Sequence, residues 1–166
     1  PDVGGSLMLA LCPGHLGEYL GLTGTRMGAA DAIYAGFANG FIPEVDWDAI
    51  KVRLIEGNIS ALDYQIPPEG RLRAMQGDID SHFSGATLAD IERGLLSDTS
   101  EFAADTRKVL GRHAPLAMGC CMQIVRHLRG ADSIRTALEQ EYRFTHRAVA
   151  QGDFIEGIRA AIIDKD

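Results

Sequence analysis

Asp2 stands directly before Val3, Gly4 and Gly5. A carboxylate at such a place can accept backbone N–H groups as a helix N-cap. The paired glycines offer bare N–H groups and close backbone approach. Neither a dinucleotide fingerprint nor a Walker-type phosphate loop is present, so nucleotide cradling has no support. The five histidines, His15, His82, His113, His127 and His146, share no HxxxH or HExxH spacing. With no spaced CxxC motif either, no metal site is expected. Cys120 and Cys121 are neighbours in a run of small and apolar residues and read as core. Nothing in the spacing selects a Cys–His nucleophile pair. Arg126, Arg129 and Arg135 are a set able to meet a phosphate, but solvated helix charges are the simpler reading.

The elements that must position these residues read as helices punctuated by glycine, an all-α pattern. Short helices are expected over 4–12, 15–23 (stopped at Gly24), 28–38 and 46–56. Asn39–Pro43 is the best strand signal, allowing at most one or two short strands. Residues 57–70, with Pro67 and Pro68, read as an irregular connection. Helices resume over 72–83, from Thr87 to Leu96, over 100–112 and over 115–129. Thr87-x-x-Asp90 has the form of a capping box, and Pro115 falls where a missing N–H is harmless. The strongest stripe is Ile134, Leu138, Tyr142, Thr145 and Val149 over 132–151, expected to be the buried face, with Glu139 and Arg143 paired on the other side. Asp153 to Glu156 reads as an acidic capping box, opening a last helix with Phe154, Ile158 and Ile162 inward.

The chain has 166 residues, 46% apolar, and a net charge of −7. Wholesale disorder is excluded on these figures. The acidic balance argues against nucleic acid or an anionic membrane as partner. No apolar run approaches the ~18 residues of a membrane span, and no leader pattern opens the sequence. Three cysteines, odd in number and with no spaced pair, suit a reducing, cytoplasmic compartment.

Pro1-Asp2-Val3-Gly4-Gly5 resembles a fingerprint of the crotonase (enoyl-CoA hydratase/isomerase) superfamily, in its 3-hydroxyisobutyryl-CoA hydrolase branch. Leu20-Gly21-Leu22-Thr23-Gly24-Thr25-Arg26-Met27 and Ala29 to Ala38 are similar to the superfamily's next conserved run. Leu138-Glu139-Gln140-Glu141-Tyr142-Arg143, Gly152 to Ala160 and Ile163 to Asp166 resemble the hydrolase branch closely. The likeness spans nearly the whole chain, and residues of about 58–113 resemble a helical insert that plain hydratases lack.

The resemblance implies a C-terminal half: residues 1–57 as the end of the crotonase-like core, and 58–166 as insert and C-terminal helical domain. The spiral core, the oxyanion-hole loop and a partner glutamate would lie before Pro1, leaving the fragment alone inactive. It further implies that Asp2 is catalytic in thioester hydrolysis, and that Asp2 and Gly4 bind substrate. Two carboxylates at one carbonyl divide proton transfer or attack from orientation, and backbone N–H groups stabilise the oxyanion. In hydratases the position of Asp2 is usually glycine. The implied partners are an acyl-CoA substrate from valine breakdown, the missing N-terminal half and a possible second copy. No separate cofactor is implied, since coenzyme A is part of the substrate. The alternatives are a hydratase or isomerase of the same superfamily and a non-catalytic helical oligomerisation module.

Overall fold

A computed structural model of the chain describes residues 2–130 and 133–165, with Ala61 by its backbone only. Helix dominates, and no strand forms among the described residues. Phe41 and Gln65 make one isolated antiparallel bridge, so the expected strand at 39–43 contributes a single pairing. The helices are α1 (Gly5–Ala10), α2 (Leu16–Thr23), α3 (Ala29–Tyr34), α4 (Trp47–Ile55), α5 (Leu72–Phe83), α6 (Leu88–Ser97), α7 (Glu101–Leu110), α8 (Pro115–His127), α9 (Ile134–Gln151) and α10 (Phe154–Arg159). A π-helical turn, Ala160–Asp164, follows α10.

The chain divides into two compact units, Pro1–Thr25 with Gln76–Asp166, and Arg26–Met75. The boundary expected at 57/58 falls inside the second unit, between α4 and the 3₁₀ turn Ile59–Ala61.

In the first unit, α2 lies at the centre. It is apolar on nearly all sides, and all but one of its residues are buried, as a helix surrounded by protein must be. α1 and α8 pack on it. Gly17 allows the approach of α1, since a Cβ there would run into the Leu9 carbonyl. Leu16, Leu22, Phe83, Ile91, Leu95, Val125 and Leu128 complete the core. Tyr19 meets Phe83 edge-on at 5.3 Å between ring centroids, a favoured aromatic geometry. Gly24 ends α2 in the left-handed region, φ 61°, as a C-terminal glycine should.

Thr87 and Asp90 form the capping box in full: the Thr87 hydroxyl accepts the Asp90 N–H at 3.2 Å, and the Asp90 carboxylate accepts the Thr87 N–H at 3.0 Å. The box expected at Asp153 does not form. The Asp153 side chain makes no cap bond, and Glu156 is held instead by Arg159 at 2.7 Å.

The face of α9 is also corrected. Ile134, Leu138, Tyr142 and Val149 are exposed, whereas Ala137 and Glu141 are buried, with Phe144 and Ala148 half-buried on the same side. Phe154, Ile158 and Ile162 are likewise exposed. The Glu139–Arg143 ion pair is absent among the described residues; the Arg143 carbonyl accepts from Arg147 at 2.8 Å.

The second unit carries α3 and α4. Asp31, buried on α3, accepts the Leu72 N–H at 2.8 Å and so holds the start of α5. The Trp47 indole donates to the Ile42 carbonyl at 3.0 Å. The Arg73 guanidinium lies 4.7 Å over the Tyr34 ring.

Candidate active site

Asp2 is exposed. Among the described residues its carboxylate accepts only a local bond, from the Val3 N–H at 2.8 Å, and its carbonyl accepts the Gly5 N–H at 2.9 Å. The second bond closes a tight turn whose two central residues, Val3 (φ 50°) and Gly4 (φ 89°), both have positive φ. Glycine tolerates this; a β-branched residue does not, and such strain costs about 1–3 kcal/mol. Asp2 therefore does not cap α1 with its side chain, contrary to the simple reading of its position. The N-cap residue is Gly4.

The capping role falls to Glu141 of α9, which the sequence reading missed. One oxygen accepts the Gly4 N–H at 2.7 Å. The other accepts the Ser6 N–H at 2.9 Å and the Ser6 hydroxyl. Glu141 is 3% exposed, and Ser6 is fully buried. Burial alone pushes the Glu141 carboxyl up, but the Ser6 hydroxyl and the two amides outweigh it and hold it below the usual range. α9 crowds the turn a second time through Ile134, whose Cδ1 a Cβ on Gly4 would strike.

A second buried carboxylate is separate from this site. Glu18 on α2 is fully buried and pairs with Arg126 Nε at 3.3 Å, with Arg129 and with His15 Nδ1 at 3.2 Å. Arg126 also donates to the carbonyls of Phe83, Gly85 and Ala86. Arg126 and Arg129 are thus structural clamps, not solvated charges. Burial raises the Glu18 carboxyl, and hydrogen bonds from Arg129, its own backbone and His15 more than reverse the effect.

The remaining candidates do not converge. His82 bonds Asp98 at 2.8 Å and stacks on Phe102; His113 bonds the Leu22 carbonyl; His146 stacks on Tyr142. None of these partners is a thiol. Burial pushes the Cys12 thiol up to about 11, with Arg129 lowering and Glu18 raising it to lesser degrees, so it is a poor nucleophile near neutrality. Among the described residues no group of three or more His, Cys, Asp or Glu could hold a metal ion. No helix of the described residues is long and apolar enough to cross a membrane.

The enoyl-CoA hydratase/isomerase family model matches residues 1–166. The chain belongs to that family. It is similar to the mitochondrial 3-hydroxyisobutyryl-CoA hydrolase of Xenopus laevis, 34% identical over all of this chain and 46% of the relative, and to that of Mus musculus, 32% identical with the same coverage. It also resembles a solved enoyl-CoA hydratase of Rhodobacter sphaeroides 2.4.1, 51% identical with a TM-score of 0.94, over 100% of this chain and 49% of that one. The chain spans about half the length of the curated relatives it matches. Its helical architecture is therefore part of a known family fold.

Proposed function

We propose that this chain carries part of the active site of an acyl-CoA thioester hydrolase of the 3-hydroxyisobutyryl type, acting in valine breakdown. The observation that supports it is Asp2: an exposed carboxylate, free of any cap role, held at the mouth of a strained turn that opens α1. In this reading Asp2 works with a carboxylate supplied from elsewhere in the whole protein. One group moves the proton or attacks while the other orients water. The Gly4 backbone contributes to the acyl-binding surface, and its N–H stays committed to Glu141. Coenzyme A arrives with the substrate, and no resident cofactor is required. Residues 1–57 then complete the family core, and 58–166 are insert and C-terminal helices. The partners are the remaining half of the chain and a second copy, and three cysteines with no spaced pair suit a reducing, cytoplasmic setting.

The 51% identity to a protein solved as an enoyl-CoA hydratase favours a second reading, hydration by the same fold. Asp2→Asn in the whole protein separates the two. Asn keeps the size and one acceptor oxygen but cannot move a proton. Turnover of 3-hydroxyisobutyryl-CoA should fall by roughly 10²–10⁴-fold, with KM little changed. Wild-type turnover in the Asn variant, or activity on enoyl-CoA alone, would overturn the hydrolase reading.

A further inference from the structure

We infer that Glu141 is a positioning residue for the reaction: from α9 it clamps the Val3–Gly4 turn in the conformation that presents the Asp2 carboxylate. The inference rests on the hydrolytic reading of Asp2 and adds a residue that acts through it. Three donors of the Asp2-to-Ser6 segment converge on this one carboxylate, and two of them are the backbone amides on either side of Gly5.

A clamp explains three otherwise unconnected features. The first is Val3, a β-branched residue at φ 50°. Such a conformation persists only where surrounding contacts over-determine it. The second is the choice of cap. Gly4, at φ 89° and against Ile134, has no side chain to cap with, and the cap of this six-residue helix comes from 137 residues away. The third is the rotation of α9. This helix leaves Leu138 and Tyr142 exposed and turns Glu141 inward. Burying a carboxylate is unfavourable unless its oxygens are hydrogen-bonded, and here both are. Stability of α1 alone would require none of the three.

The test uses the whole protein and two variants, Glu141→Gln and Ser6→Ala. Gln offers one acceptor oxygen and turns an NH₂ donor toward an N–H. In Glu141→Gln, kcat on 3-hydroxyisobutyryl-CoA should fall by about 10–100-fold, the scale of an ångström-sized misplacement, while KM stays within about twofold. Hydrogen exchange read by mass spectrometry should rise across residues 3–6. In an Asp2→Asn background Glu141→Gln should cost no further turnover, because a positioning residue has nothing left to position. A purely structural role predicts the same loss in both backgrounds and would overturn the inference. If Glu141→Gln does not fold, Ser6→Ala decides: it removes one donor, and wild-type kcat with wild-type exchange overturns the clamp. If Asp2→Asn is fully active, the hydrolytic reading has failed by itself. The positioning role then falls with it, whatever the exchange at residues 3–6.

Discussion

Glu18 has no exposed surface and three basic side chains around it. A buried pair is weak evidence for net stability, but removing one partner leaves the other uncompensated. Glu18→Gln should therefore destabilise the chain by an amount near the lower end of roughly 3–5 kcal/mol, since Arg126 and Arg129 keep some contact with water. Denaturant melts at neutral pH measure this. The pH dependence has a definite sign. A carboxyl whose folded-state pKa lies below its unfolded value of about 4.5 stabilises the fold above that value. The contribution is lost as pH falls from there through the depressed folded value. The wild type should lose stability on that acid limb, and Glu18→Gln should lose measurably less. Asp2 could be singled out because its family run surrounds it in sequence. Glu141 was not, because nothing local marks it: its partners are 137 and 135 residues away. The one available signal was its place in the Glu139-Gln140-Glu141-Tyr142-Arg143 run, where two glutamates compete for attention.

Helix existence and most boundaries were readable from glycine stops and caps, because those signals act within one turn of backbone. Thr87 and Asp153 show where such reading succeeds and where it fails. Both begin a polar–x–x–acidic pattern. At Thr87 the acidic partner has its cap duty alongside Arg93, also three residues away, and both bonds form. At Asp153 the glutamate is taken by Arg159, which also binds Asp164. Thr87→Ala should cost about 1 kcal/mol, and Asp153→Ala should stay within about 0.5 kcal/mol. Thermal melts of the two variants check the contrast. The face of α9 was misread for a related reason. Periodicity finds the apolar stripe, but it cannot say which neighbour that stripe meets. Small Ala137 and Ala148 let α9 pack closely, and the apolar stripe is left for something else.

At the scale of the molecule that outward stripe dominates. Leu138, Tyr142 and Val149 on α9 are exposed, and so are Phe154, Ile155, Ile158, Ile162 and Ile163 beyond it. Apolar surface in this amount seldom stays bare. Expressed by itself, the 166-residue chain should self-associate with rising concentration, and Leu138→Lys combined with Ile158→Lys should shift it toward monomer. Sedimentation velocity distinguishes the cases, and a wild-type chain monomeric throughout would contradict the expectation. The tie between Gly4 and Glu141 has one more consequence, for the order of events during synthesis. A ribosome emits the Asp2 turn well before α9. Across 137 residues, at about 5–20 residues per second, the interval is on the order of 7–27 s. For that time the turn after Asp2 lacks the three bonds that Glu141 supplies. A polypeptide cut short before Glu141 would have Asp2 and never acquire its clamp.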